Sequence, residues 1–169
     1  MILRYLDETG LSLALPPTQT WTLVGQARQF EIPTRWSSVG RVNLMGSLRC
    51  FGDRKLLEYR MVDGRCTSEV LESYLDSLAD QTCPERPTVV VLDNAGSHTA
   101  KRIKGQTERW AAKGLSLYYL PPYCPHLNLV ERWWKNLKGF MMPRRYYDSL
   151  AQLKEALFSA LNSIEAIKL

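Results

Sequence analysis

The sequence predicts a single α/β domain built on a mixed sheet, and three observations lead to this fold class. The chain has 169 residues, 45% of them hydrophobic, which is enough for one domain with its own core. The continuous apolar run at 89–92, bounded by Pro87 and Asp93, is typical of a central strand buried on both faces. Extended segments precede an alternation of helices and strands, an order that favours helices packed on a mixed sheet.

The N-terminal third predicts a meander of strands. Apolar residues and turn signals indicate extended segments at 2–6, 11–15, 20–24, 40–48 and 56–62. The first segment is expected to end at Asp7-Glu8. The second and third flank Pro16-Pro17, so we expect a hairpin with a proline-stiffened connection between them.

Helices and strands alternate in the remainder of the chain. Apolar residues recur at helical spacing behind Thr67 and Ser68, either of which can cap the first helix. A basic helix is expected to end near Gly114, and the strand after it is stopped by Pro121-Pro122. The predicted order is helix 68–80, strand 88–92, helix 99–112, strand 115–120, helix 129–140 and helix 149–164.

Charge is distributed unevenly along the chain. The formal net charge is +5, but residues 98–146 alone carry ten Lys or Arg against two Glu, a net of +8. A basic block of this size predicts a polyanionic partner. A surface through which copies of the chain associate is the alternative interpretation of the same block.

The cysteines and the apolar runs exclude two classes of protein. The four cysteines form no C-x-x-C pair, and the two histidines do not complete a zinc-like spacing, so no zinc site is predicted. No apolar run approaches the roughly 20 residues that span a bilayer. We therefore expect a cytoplasmic protein with no membrane partner.

Three acidic residues stand where an α/β sheet presents its ligands. Asp7 ends the first predicted strand, Asp93 ends the central strand, and Glu131 lies one turn into the helix after the last strand. If the first and central strands are parallel neighbours, the carboxylates of Asp7 and Asp93 come side by side. Three converging carboxylates suit divalent ions that act on phosphodiesters.

Each acid also has a structural interpretation. Asp7 can open a turn at 7–10, and Asp93 can form an Asp-Asn turn after its strand. The segment from Asn128 to Glu131 matches the N-x-x-E form of a helix capping box. Glu8 is a rival ligand to Asp7, but strand alternation points it to the opposite face of the sheet.

Two long motifs make the sequence recognisable. The first is VVLDNAGSH at 90–98, and the second is LPPYCPHLNLVERWWKNLK at 120–138. Together with LDETG at 6–10 and TWTLVGQ at 20–26, they closely resemble the DDE superfamily of transposases. More narrowly, the chain is similar to the bacterial insertion-sequence branch related to the mariner elements.

This resemblance implies an RNase H-like fold with a central mixed five-stranded sheet flanked by helices, as one catalytic domain over residues 1–169. It implies divalent-metal-dependent DNA cleavage and strand transfer by Asp7, Asp93 and Glu131, with two Mg²⁺ or Mn²⁺ ions. The helix-turn-helix region that such transposases carry before the first catalytic strand is expected to be absent. A bacterial, nucleoid-associated protein follows, and a homodimer suits the holding of two DNA ends, although no sequence feature specifies one.

The resemblance also suggests residues that support the three acids. Asn94, His98 and Asn128 are expected to orient the metal ligands or to contact phosphate. Basic helices are expected to hold the DNA backbone, with salt-sensitive affinity and no sequence readout. These DNA-binding candidates are Lys101, Arg102, Lys104, Arg109, Arg132, Lys135 and Lys138.

Other functions remain open at this point. A ribonuclease H or a Holliday-junction nuclease would use the same fold, and a truncated or inactive relic would retain only DNA binding. Trp133 and Trp134 are expected to be core or interface residues and not base-stacking groups, because only one of two adjacent helix positions faces the core comfortably.

Overall fold

The computed structural model contains a six-stranded mixed sheet with helices packed on both faces. The predicted hairpin across Pro16-Pro17 lies outside the described residues. The structure describes residues 1–15, 24–25, 40–52, 54–122, 124–164 and 166–169.

The two longest strands of the sheet lie at its centre. The strands are β1 Ile2–Ser12, β2 Arg41–Phe51, β3 Arg54–Val62, β4 Thr88–Leu92, β5 Leu115–Tyr119 and β6 Ile167–Lys168. They lie in the order β5-β4-β1-β2-β3-β6, with β2 antiparallel to both its neighbours and the other pairs parallel. The expected count of five misses β6, because a two-residue edge strand is too short to show alternation.

Strand β1 continues where the sequence predicted a turn. Residues 7–12 pair in register with residues 46–41 of β2, so Asp7 and Glu8 lie inside the strand and not after it. The predicted strand end at residue 6 and the turn at 7–10 are therefore wrong. The main-chain ladder with β2 supplies the hydrogen bonds that a turn at these residues would otherwise need.

The helices differ from the predicted ones mainly where glycine interrupts them. The basic helix expected at 99–112 is two short helices separated at Gly105, a poor helix former. The helix expected to end at residue 140 changes after Asn136 into a π-helical turn, Leu137–Met141. No described helix is long and apolar enough to cross a membrane. The α-helices are α1 Ser68–Ala79, α2 Lys101–Lys104, α3 Thr107–Ala112, α4 Leu129–Asn136 and α5 Leu150–Ser163.

Alternation along β1 assigns its residues to two cores. Leu11 packs in the core formed with α4 and α5, whereas Leu6 packs in the core formed with α1, α2 and α3. Because neighbouring strand residues point to opposite faces, Asp7 lies on the α4–α5 face and Glu8 on the α1–α3 face. The two acids therefore approach the same edge of the sheet from its two sides.

Candidate active site

Asp7 and Asp93 come together because β1 and β4 are parallel neighbours. The ladder pairs Tyr5 with Val91, and two further residues along each strand bring the register to Asp7 and Asp93. Since β4 ends at Leu92, Asp93 stands just beyond the last ladder pair. The condition under which the sequence brings Asp7 and Asp93 side by side, that these two strands are parallel neighbours, is therefore met.

Glu131 is brought to this edge by the start of α4. The amide of Asn128 donates to the carbonyl oxygen of Leu6 at 3.0 Å, which ties the helix start to the residue before Asp7. The Asn128 Oδ1 also accepts from the backbone N–H of Val130 at 3.4 Å as the helix N-cap. Asn128 is buried, so this link is protected from water.

The Glu131 carboxylate is not used as a cap. Within the described residues it makes no hydrogen bond to the backbone N–H of Asn128, so the reciprocal half of a capping box is not formed. The partly exposed carboxylate is free to face the edge where Asp7 lies, and both line one cavity of about 220 Å³.

The acids near Asp7 affect its ionisation. Burial raises the pKa of Asp7 to about 7 from its ordinary 3.8, and three nearby negative charges add to this effect. A backbone hydrogen bond from Glu8 opposes the rise. The three charges belong to Glu8, Asp93 and Glu131. The structure therefore brings all three predicted acids into one electrostatic neighbourhood.

Trp134 packs against the backbone beside Asp7. Gly46 is the β2 partner of Asp7, and a Cβ on it would lie 2.6 Å from the Cη2 of Trp134. The indole thus lies on bare backbone beside Asp7, in a place that only glycine leaves open. Trp134 is buried and Trp133 only partly so, as expected for adjacent helix positions.

His98 links Asp93 to Glu8. Its ring is fully buried, with Nδ1 2.6 Å from Asp93 Oδ1 and Nε2 3.0 Å from Glu8 Oε2. Burial alone would lower the pKa of His98, but hydrogen bonds to the two carboxylates raise it to about 10. The same hydrogen bond from His98 is the main cause that holds the pKa of Asp93 below its usual value.

Glu8 is the residue whose part in the site the sequence did not reveal. Alternation does point it away from Asp7, as predicted, but on that other face it meets His98. In the sequence, His98 stands five residues after Asp93. The acid next to Asp7, Glu8, was the only signal that this histidine has a second partner.

Asn94 joins two strand ends. Its Nδ2 donates to the carbonyl oxygen of Leu120 at 2.5 Å, just after β5, while the Asp93 Oδ1 accepts from the Ala95 N–H at 3.0 Å. These bonds fix the loop that carries Asp93. The Asn94 amide nitrogen is engaged by the main chain and supports this loop from within the fold.

The predicted DNA-binding residues fall into two groups. Arg102 pairs with Glu69 and Glu72 at 3.1 and 2.8 Å, and Arg109 pairs with Asp76 at 2.5 Å. The remaining five carry no ion pair within the described part of the chain. They are Lys101, Lys104, Arg132, Lys135 and Lys138, of which Lys135 and Lys138 line the cavity that holds Asp7 and Glu131.

The donor set suits a hard divalent cation. Oxygen ligands predominate at the edge, and Asp7 is pushed towards protonation by burial and by like charges, a conflict that a cation would relieve. Among the described residues, no group of three His, Cys, Asp or Glu side chains is already drawn close enough to form a closed ligand set. The chemistry of the three acids fits a metal, which would draw them closer.

Known proteins resemble this chain in sequence and in structure. A sequence model described as DDE superfamily endonuclease matches residues 2–154. The uncharacterized protein y4pE/y4sA of Sinorhizobium fredii (strain NBRC 101917 / NGR234) is 23% identical over 99 residues, which are 59% of this chain and 69% of that protein.

Two solved structures share the fold. The Mos1 mariner paired-end complex with Mn has a TM-score of 0.66 at 18% identity, covering 95% of this chain and 48% of that one. The Mos1 transposase paired-end complex with the left transposon end has a TM-score of 0.64 at 16% identity, covering 92% and 46%. The chain thus spans about half the length of these Mos1 chains, and the expected RNase H-like α/β fold is confirmed.

Proposed function

The chain belongs to the DDE superfamily of endonucleases, and on that premise we propose that it is the catalytic domain of a transposase. The observation that carries the proposal is that Asp7, Asp93 and Glu131, from three separate elements, lie near enough for the charges of Asp93 and Glu131 to add to the rise that burial causes in the pKa of Asp7. Structural acids are normally paired or hydrogen-bonded, whereas like charges crowded together at an edge suggest a catalytic purpose.

We propose that the same three carboxylates hold divalent metal, two ions of Mg²⁺ or Mn²⁺. When bound, such ions activate the attacking oxygen and stabilise the leaving one. The Mos1 paired-end complexes include one with Mn and one with Mg. The two aspartates differ in ionisation: the hydrogen bond from His98 lowers the pKa of Asp93, whereas Asp7, with a pKa of about 7, is only partly ionised at neutral pH and a nearby cation would favour its charged form.

The protein's other residues position these acids. His98, held by Glu8, fixes one oxygen of Asp93 and leaves the other free for a ligand role. Asn128 fixes the start of α4 against β1 and with it the distance of Glu131 from Asp7. Glu131 lies in the first turn of α4.

The proposed reaction has two steps on DNA. Water adds to a phosphodiester and breaks the P–O3′ bond, which leaves a 3′-hydroxyl on one strand end and a 5′-phosphate on the other. The 3′-hydroxyl then attacks a target phosphodiester and displaces its 3′-oxygen, so that one ester bond replaces another. Neither step forms a bond between protein and DNA, and Lys135 and Lys138 contribute positive charge beside the acids.

Plasmid nicking tests the proposal. Supercoiled plasmid is incubated with the 169-residue chain and Mg²⁺ or Mn²⁺, and the rate of nicking is compared for wild type, Asp93→Asn and Asp80→Asn. Asp80 is an exposed acid paired with Lys113 at 2.6 Å, away from the site. Asp93→Asn should lose activity by about a thousandfold, and Asp80→Asn should match wild type. Equal nicking by wild type and Asp93→Asn would refute the assignment.

A further inference from the structure

A second cavity adjoins the acid site on the Glu8 side. It has a volume of about 490 Å³ and shares Glu8 and Thr9 with the cavity that contains Asp7. Its remaining walls come from the end of β1, the start of β2 and the segment between β3 and α1. Two arginines, Arg41 and Arg65, both exposed, stand in this wall.

Gly10 leaves room for the side chain of Arg41 to pack against the backbone. A Cβ on Gly10 would lie 2.1 Å from both Nε and Nη2 of Arg41, so the guanidinium rests where any other residue would place its side chain. Gly10 has no left-handed backbone conformation that would itself require glycine. The close approach of Arg41 is therefore the feature that the missing side chain permits.

The positive charges here are not neutralised. Within the described residues, neither Arg41 nor Arg65 makes an ion pair, and the one carboxylate in the cavity wall, Glu8, is bound to His98. Burial lowers the pKa of Lys138, and the charge of Arg41 lowers it further. Two exposed arginines at the rim of a cavity, neither of them in an ion pair among the described residues, provide a site for an anion.

We propose that Arg41 and Arg65 bind a backbone phosphate of the DNA strand that passes through the acid site, a few nucleotides from the bond that is cut. The inference rests on the proposed function, since it assigns the strand's path at the same site. The shared wall of Glu8 and Thr9 makes the two cavities neighbours along one edge, which suits a continuous strand better than a separate small anion. The guanidinium fork matches phosphate oxygens.

The salt dependence of DNA binding tests the proposal. Binding of a fluorescent random-sequence duplex of about 30 base pairs is measured without divalent ions over a range of salt, for wild type and three arginine-to-glutamine variants. The variants are Arg41→Gln, Arg65→Gln and Arg54→Gln, the last at the first residue of β3, at the opposite end of the sheet. Each site variant should lower the salt slope by about 0.9 and weaken binding about eightfold at 0.1 M salt, and Arg54→Gln should do neither.

Gly10→Ala tests the position of Arg41 without changing any charge. The added methyl meets only the flexible end of the Arg41 side chain, so the fold should persist while the guanidinium is displaced. Gly10→Ala should weaken DNA binding in the same direction as Arg41→Gln. The double variant should bind no more weakly than Arg41→Gln alone, because both changes remove one contact.

The outcomes separate this inference from the proposed function. Wild type that binds no DNA would overturn both. Wild type that binds DNA while Arg41→Gln, Arg65→Gln and Arg54→Gln all behave alike would overturn only the strand path. If the losses of DNA affinity from Gly10→Ala and Arg41→Gln were additive, Gly10 would not act by positioning Arg41. Plasmid nicking that depends on Asp93 would stand in either of the last two cases.

Discussion

The edge of the sheet near Asp7, Asp93 and Glu131, called the acid-site edge below, differs in its charge pairing from the face formed by α1, α2 and α3. On the α1–α3 face, all three acids of α1 pair with arginines of α2 and α3, and Asp80, just after α1, pairs with Lys113. At the acid-site edge, Asp7 meets other carboxylates and Arg41 meets Lys138. The first region therefore balances its charges within the fold, whereas the second leaves like charges near one another, which we expect of a site that binds ligands.

This comparison changes the meaning of the basic block at 98–146. Counted along the chain, Arg102 and Arg109 belong to a polyanion-binding segment. In the fold they are the counter-charges of α1, and the free cations near the acids include Arg41, which lies in the acidic N-terminal part of the sequence. Charge counted by segment therefore predicts a polyanionic partner but includes only part of the surface that we propose for it.

The largest effect on stability is expected at His98, which pairs with both Glu8 and Asp93 at the acid-site edge. His98→Ala leaves Glu8 and Asp93 without their shared donor, and should lower the free energy of unfolding by about 3 kcal/mol. Denaturant unfolding of the metal-free protein measures it. His126→Ala, which removes an exposed imidazole, is the control and should change stability little. If both histidine variants changed the free energy of unfolding equally, the contacts of His98 with Glu8 and Asp93 would not stabilise the fold.

A smaller effect of opposite sign is expected at Asp7. Its pKa is about 7 when folded and 3.8 otherwise, so the metal-free folded protein holds the proton more tightly and loses stability as pH rises between those values. Asp7→Asn should match wild type near pH 4 and exceed its free energy of unfolding by about 2–3 kcal/mol near pH 8. Unfolding at both pH values measures this, and a variant less stable than wild type at the higher pH would contradict it.

The smallest effects separate the two basic regions directly. Lys138→Gln should lower the rate of plasmid nicking about tenfold, because this cation lines the cavity of Asp7 and Glu131. Arg102→Gln should change nicking by less than about twofold and should change stability little, since it removes only the ion pairs of an exposed guanidinium with Glu69 and Glu72. If Arg102→Gln impaired nicking as much as Lys138→Gln, the division of the basic residues would be wrong.

Much of the fold and the acid set could be predicted because their signals are local. The apolar run before Asp93 and the helix start before Glu131 identify both residues in sequence. The length of β1 could not be predicted, since Thr9 and Gly10 suggest a turn and only the pairing with β2 keeps them extended. That pairing is a contact between distant segments, which no local pattern records.

The same reason explains which site residues were missed. Glu8 acts through His98, 90 positions away, and Arg41 through its approach to Gly10. Each role depends on strand register, which brings together residues that have no relationship in the sequence. The sequence allowed Glu131 to be either a metal ligand or part of a capping box. In the structure Asn128 caps α4 without Glu131, so the capping-box interpretation does not apply.

Metal binding at Glu131 tests most directly the claim that Asp7, Asp93 and Glu131 form one divalent-metal site. A calorimetric titration with Mn²⁺ compares wild type with Glu131→Gln and with Glu108→Gln, an exposed acid in the first turn of α3. Mn²⁺ should bind wild type and Glu108→Gln equally and Glu131→Gln at least about tenfold more weakly. Equal affinity in wild type and Glu131→Gln, or no binding to wild type, would contradict the account.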